Sequence, residues 1–271
     1  MHDWIWNLWA GLTGACVGSF INVVNSRLSR ENPVSLMDRS SCLQCHSVIA
    51  WYDLVPVLSW FLLKGRCRNC SVRISLRYPL NELLFGILGT ICWHYSNSPL
   101  EALEAFTVLA LLISIAWIDL DAWMIPISLL TGLFLNGFGY ALFADPSLFY
   151  ERVLVAGVIF GFFAVFLLFT TWIFRKVGRI GAQDQAMGWG DPILLAAIAA
   201  NLPWHWLSWV VLLGSLQGLM SYCLFPIIRS YRGADSWSPP SGALPLGVFL
   251  SLAAIEIKLW ILMFPSLTLK S

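Results

Sequence analysis

Two acidic residues stand at the ends of apolar runs, in a chain that otherwise keeps most of its charge in polar loops. Gly188-Trp189-Gly190-Asp191-Pro192 brings a carboxylate to the start of the run Ile193 to Ala197, and Ile118-Asp119-Leu120-Asp121 brings another to the end of a different run. Carboxylates at membrane depth are costly and generally serve a partner or a reaction. Two that face one another cannot both ionise easily. Such a pair, sharing one proton, can use one member as the base that activates water while the other polarises a peptide carbonyl. That is aspartic peptidase chemistry. The plainer account of Asp191 is structural, because an aspartate before Pro192 makes a good helix N-cap. Asp121 is a rival to Asp119, and an exposed turn carboxylate is the simpler account of it.

A second constellation is built of sulfur. Cys42-Leu43-Gln44-Cys45 and Cys67-Arg68-Asn69-Cys70 are two CxxC pairs with residues 46–66 between them, a spacing close to that of zinc sites. The topology below puts this stretch in the reducing cytoplasm, where disulfides are disfavoured. Four thiolates complete a tetrahedral shell and leave no position for a reactive water, so the predicted zinc is structural. The alternatives are a redox pair or metal-free thiols. His46, beside a ligand, is read as a solvated loop histidine. Cys16, Cys92 and Cys223 fall within spans and are read as small buried apolar residues.

The elements that must position these groups follow from composition. Only 11% of residues are charged and 58% are hydrophobic, against roughly 25% charge in a soluble domain, which makes this an all-α polytopic membrane protein. The lipid bilayer is its surrounding; a net charge of +1 gives no reason to expect nucleic acid. The opening Met-His-Asp-Trp-Ile-Trp lacks a basic n-region, so the first apolar run is expected to stay as a membrane helix. Spans are predicted at Trp4–Val24, Leu80–Tyr95, Leu100–Ile118, Ile125–Phe143, Leu154–Phe174, Pro192–Leu202, Trp206–Ile228 and Ala243–Phe264, about eight in all. Gly11, Gly14, Ala15 and Gly18 in the first would let another helix approach closely.

The stretch from Arg27 to Tyr78 carries Arg27, Arg30, Arg39, Lys64, Arg66, Arg68, Arg73 and Arg77 against Glu31, Asp38 and Asp53, which marks it cytoplasmic. Arg175, Lys176 and Arg179, and later Arg229 and Arg232, mark the other inner loops, so both termini lie outside. Three segments result: a first helix over 1–26, a cytoplasmic four-cysteine loop over 27–79 and a membrane domain over 80–271. Asp119 closes an inward span and Asp191 opens an outward one, so both reach the cytoplasmic edge. Pro192–Leu202 is too short to span: it would rise only about 17 Å against a hydrocarbon core of about 30 Å, so it either runs past Pro203 or starts below the surface.

These residues carry a family resemblance. The first-span stretch Gly14-Ala15-Cys16-Val17-Gly18-Ser19-Phe20-Ile21-Asn22-Val23-Val24, the two CxxC pairs, Pro56-Val57-Leu58-Ser59-Trp60, Gly65-Arg66-Cys67, Arg77-Tyr78-Pro79-Leu80-Asn81-Glu82-Leu83-Leu84 and the GxGD motif at Gly188 to Asp191 together resemble the bacterial type IV prepilin peptidases. The resemblance runs from Gly14 to about Gly247. It implies an inner-membrane GxGD aspartic endopeptidase that removes the leader of prepilins or pseudopilins on the cytoplasmic side, with Asp119 and Asp191 as the catalytic pair and Cys42, Cys45, Cys67 and Cys70 holding zinc. It further implies N-methylation of the new terminus with S-adenosylmethionine, for which the first-span Gly-Ser-Phe region and Gly65-Arg66 are the places to look.

The chain departs from the family pattern at three places. Ile127 follows Pro126 where an aspartate is usual, Ile193 stands where a lysine is usual, and Ala199-Ala200-Asn201 replaces glycines. If the missing charges normally pair, their joint loss can be neutral, and Ile127 and Ile193 are then expected to touch. The competing reading is a catalytically silent relative that serves as a zinc-loop membrane scaffold in pilus or type II secretion assembly.

Overall fold

Long apolar runs broken only by polar turns dictate helices, since in hydrocarbon every backbone group must find its partner within the segment. The computed structural model describes residues 3–29, 38–42, 44–178, 188–232 and 245–265, and only the backbone of 3 and 224–232. The loop residues Arg30, Glu31 and Arg179, the polar turn before the last helix and the side chains of Arg229 and Arg232 lie outside the described residues. Nine α-helices are described: α1 (Asp3–Leu28), α2 (Leu58–Leu62), α3 (Arg77–Tyr95), α4 (Pro99–Ala122), α5 (Ile127–Ala144), α6 (Pro146–Lys176), α7 (Gly190–Ala199), α8 (Leu207–Arg232) and α9 (Leu246–Met263). Leaving aside the short α2, they stand at all eight predicted places. Six are long and apolar enough to cross a membrane; α7 is too short, and α3, which carries Arg77, Asn81, Glu82 and His94, is not among them. The chain is a multi-pass membrane protein.

Two boundaries differ from the prediction for identifiable reasons. α6 begins at Pro146, eight residues before the predicted Leu154, because Asp145 caps it by accepting from the Ser147 N–H at 2.8 Å and Pro146 suits the first turn. α7 ends at Ala199 and does not run past Pro203; a 3₁₀ turn over Trp204–Trp206 leads into α8 instead.

The helices form two units, residues 1–110 and 111–271. In the first, α1 lies along α3 with almost no side chain between them. A Cβ on Gly14 would overlap the carbonyl oxygen of Phe85, one on Gly11 would come to 2.7 Å from the Thr90 hydroxyl, and one on Gly18 to 2.8 Å from the Phe85 Cβ. The small residues of the first span therefore serve the close approach expected of them. Across the same interface the Asn81 amide donates to Asn22 Oδ1 at 2.8 Å. Of the three span cysteines expected to be buried, Cys92 is. Cys16 and Cys223 are exposed on their helices instead, which corrects that expectation: a membrane helix buries only the face it turns to its neighbours.

In the second unit the core lies along α7, where Pro192 and every residue from Leu194 to Ala199 are buried. A Cβ on Gly137 of α5 would overlap the carbonyl oxygen of Ala200, so the two backbones touch. The Asn201 amide beside it is 2% exposed, donates to the carbonyls of Leu133 at 2.9 Å and Ala197 at 2.8 Å, and accepts from Asn136 at 3.0 Å. Arg152 of α6 reaches the Gly137 carbonyl at 2.9 Å. A polar latch thus fixes the far end of the helix that begins at the GxGD motif.

Candidate active site and metal centre

Asp119 lies in the last turn of α4 and is only 6% exposed. The helix stops there because Trp123 takes a left-handed conformation (φ 55°) and its N–H bonds the Asp119 carbonyl at 3.0 Å, a helix ending more often given to glycine. The reversed chain carries Ile125 back, and Pro126 holds the N-cap position of α5.

Ile125 is the spacer of the site. A Cβ on Gly190 would come to 3.2 Å from its Cδ1, and one on Gly247 to 2.9 Å. A side chain at 247 would force a shift, and one at 190 would crowd Ile125 where α7 closes on it. The hypothetical Gly247 Cβ would also reach 2.7 Å from Asp119 Oδ2. Into that oxygen the Val248 N–H donates at 3.0 Å. Asp191 is half-buried in the first turn of α7, next to the Gly190 that closes on Ile125, the side chain that Gly247 and Asp119 also flank. The structure therefore brings the two predicted carboxylates into one site.

Two expectations are corrected here. Asp191 is not the N-cap: Trp189 holds that position, no side-chain cap bond forms, and Asp191 lies one residue inside a helix that opens at Gly190. The structural account of Asp191 as a cap thus fails. Ile127 is 72% exposed, so it forms no buried contact with Ile193; Ile127 points out from the first turn of α5. Asp121 is exposed as expected. Sequence reasoning missed Ile125, Gly247, Val248 and the Asn136–Asn201 latch. Pro245-Leu246-Gly247 at the start of an apolar run was the available signal for the second and third, but a contact across so much intervening chain leaves no local trace.

The cysteine loop consists of two near-copies of one turn. The Cys42 N–H bonds the Ser47 carbonyl at 3.0 Å and the His46 N–H returns to the Cys42 carbonyl at 2.9 Å; Cys67 with Val72, and Ser71 with Cys67, repeat the pattern at 2.9 Å each. Bridges Ser41 to Val48 and Arg66 to Arg73 flank them. The residue after each second cysteine, His46 at φ 55° and Ser71 at φ 58°, takes the left-handed conformation that reverses the chain. His46 is thus a turn residue and not part of the sulfur cluster.

All four Sγ atoms lie within 4.8 Å of one another, and Cys42 and Cys70 are 3.8 Å apart. Zinc–thiolate bonds of ~2.3 Å at tetrahedral angles place sulfurs about 3.8 Å apart, so the residues fit that ion. The Ser47 hydroxyl, 3.0 Å from the sulfur, and then the Ser47 N–H hold Cys45 down to about 6. The N–H groups of Cys70 and then Asn69 lower Cys67. Although the Val72 N–H favours its thiolate, burial and the neighbouring sulfurs push Cys70 up to about 12. Without a cation four such sulfurs cannot all lose their protons; a dication removes that conflict.

Around the cluster, Arg68 forms a two-pronged ion pair with Asp53 at 2.6 and 2.8 Å and lies 5.4 Å over the Tyr52 ring. The loop is tied to α3 by Glu82, which accepts from the Val57 N–H at 2.7 Å. Trp60 covers Gly65, where a Cβ would come to 2.6 Å from its ring, and donates to the Ile74 carbonyl at 3.2 Å.

Comparison with known proteins bears on both halves. Residues 12–96 match the family model described as the bacterial peptidase A24 N-terminal domain, and residues 106–223 match the type IV leader peptidase family. A prepilin leader peptidase/N-methyltransferase of Myxococcus xanthus is 35% identical over 91% of this chain and 72% of its own length. One of Stutzerimonas stutzeri is 31% identical over 93% and 90%. A type 4 prepilin-like proteins leader peptide-processing enzyme of Escherichia coli is 33% identical over 91% of each. No solved structure matches the chain. Likeness of this extent, together with the paired carboxylates and the four-cysteine loop, places this chain in the type IV leader peptidase family.

Proposed function

We propose that this chain is a membrane aspartic endopeptidase that removes the leader peptide of type IV prepilins or pseudopilins at the cytoplasmic side of the bacterial inner membrane, with Asp119 and Asp191 as its catalytic carboxylates. The observation that carries the reading is the meeting of these two residues around Ile125, in a site that Gly190 and Gly247 leave open to backbone approach. One carboxylate takes a proton from water as the water oxygen attacks the scissile carbonyl, and its protonated partner donates to the carbonyl oxygen.

Cys42, Cys45, Cys67 and Cys70 would hold zinc, which supplies a fixed crosslink and no reactive position. Its place is to fold the segment 27–79 between the first helix and the membrane domain. Methyl transfer from S-adenosylmethionine to the new N-terminus is proposed as the second activity, supported by the names of the relatives.

The test is co-expression with each candidate prepilin, followed by mass measurement of the product N-terminus. Loss of the leader supports the peptidase, and a further methyl group supports the transferase. Intact leaders on every candidate, with the protein folded in the membrane, would favour the scaffold reading instead.

A further inference from the structure

Building on the peptidase reading, we infer that Asp119 is the member of the pair that carries the negative charge and acts as base, and that the first turn of α9, through Gly247 and the Val248 N–H, positions it for that role. The two carboxylates differ in what is aimed at them. Asp119 Oδ2 accepts the Val248 N–H at 3.0 Å, and a donated N–H favours the charged form of a carboxylate. Among the described residues the Asp191 side chain accepts no such bond. Both aspartates lie near the positive start of a helix, Asp191 in α7 and Asp119 against α9, so that contribution does not separate them. The aimed N–H does.

Asp119 also sits at the C-terminal end of α4, whose partial negative charge opposes its ionisation, and at 6% exposure water does little to offset this. The turn of α9 supplies what water cannot. It reaches the carboxylate only because residue 247 has no side chain, since a Cβ there would stand 2.7 Å from Oδ2. The titratable groups on the surrounding described elements are few. α7 brings Asp191, α4 itself adds exposed Asp121, α9 has none before Glu256, α5 none before Tyr140, and α6, packed against α7, ends in Arg175 and Lys176, with Arg175 beside Trp189.

The reaction then has fixed roles. A proton passes from water to Asp119 as the water oxygen bonds the carbonyl carbon, and the Asp191 proton passes to the carbonyl oxygen, giving a neutral gem-diol. On collapse the C–N bond breaks, the proton on Asp119 goes to the leaving nitrogen, and one diol hydroxyl returns its proton to Asp191.

The test compares wild type, Val248→Pro and Gly247→Ala, purified in detergent, with kcat/KM for leader removal followed from about pH 5 to about pH 9. Proline is tolerated in a first helical turn; it removes the N–H that serves Asp119 and, with it, the longer bond of the same N–H to the Pro245 carbonyl at 3.2 Å. With the donor gone or pushed away, Asp119 becomes protonated at higher pH, so the acid limb of both variants should move up by about one pH unit, with a roughly tenfold loss on the acid side. Helix content should stay near wild type in both; the Cβ of Gly247→Ala crowds Ile125 and should lower the thermal midpoint, so for that variant the position of the acid limb is the readout. A rate that falls while the acid limb stays in place would show that the turn is merely structural, and movement of the alkaline limb would place the proton on Asp119; either overturns the assignment. For a variant too slow to profile, the ¹³C carboxyl resonance of Asp119, identified by its loss in Asp119→Asn, is titrated instead, and protonation at the wild-type pH overturns it equally. Wild type that cleaves no prepilin would remove the peptidase reading itself, a result distinct from a cleaving wild type with unmoved variants.

Discussion

Gly137 of α5 and Ala200 after α7 meet backbone to backbone, with no room for a single methyl group between them. Gly137→Ala must therefore shift α7 or α5, and α7 carries Asp191. Overpacking of this kind costs about 1–3 kcal/mol. The neighbouring Asn201→Ala would remove the three hydrogen bonds that tie Asn136, Leu133 and Ala197 together, at about 0.5–1.5 kcal/mol each. Both variants should lower the thermal midpoint and slow cleavage together. A wild-type midpoint in either would mean that the latch does not hold α7.

Asp119→Asn and Asp191→Asn should each reduce leader cleavage by about 10²–10⁴-fold, because asparagine keeps the shape but cannot exchange a proton. Asp121→Asn, altering an exposed carboxylate, should keep most of the activity. Initial rates on a purified prepilin decide this. Strong residual cleavage in Asp191→Asn would return that residue to a structural role.

Freshly purified reduced protein should contain one zinc per chain by elemental analysis, and Cys42→Ser or Cys70→Ser should lose it and loosen the loop to proteolysis. Protons compete for the thiolates, so acid should release the metal. The Asp53–Arg68 pair should outlast it. Hydrogen bonds from Arg68 hold the Asp53 carboxyl below the usual carboxylate range, so its contribution is present above that range and is lost only as pH falls through the lowered value in the folded protein. Metal content and protease sensitivity followed down a pH series should separate the two events.

Ile127→Asp and Ile193→Lys should behave additively in stability and cleavage, and Ile127→Asp alone should be mild, because Ile127 is 72% exposed and shares no buried contact. A double variant that recovers a damaging single change would show a coupling absent from this structure.

Most of the helical architecture was legible because a membrane helix has to be apolar along its length, and hydropathy reports that directly. The metal loop was legible because ligand spacing is local. The left-handed turns at His46, Ser71 and Trp123 were not, since none of these residues is the glycine that advertises such a conformation. Asp119 and Asp191 could be read as a pair from topology alone, whereas the Val248 N–H that distinguishes them comes from α9, far along the chain. Asn201 was noticed only as a departure from the family's glycines; its three hydrogen bonds depend on α5 lying against α7, which no local pattern encodes.

The shortness of α7 also bears on the membrane around the protein. Ten residues rise about 15 Å, half the hydrocarbon thickness, a mismatch that a lipid-facing helix would answer by thinning the bilayer or tilting. α7 has no such lipid face: Pro192 and Leu194 to Ala199 are buried, and Asn201 closes the helix end inside the protein. The mismatch is absorbed by neighbouring helices long enough to reach both leaflets, α6 with 31 residues among them. The carboxylate of Asp191 is in that way insulated from acyl-chain length, and its depth is set by protein packing rather than by the lipid composition of the host membrane.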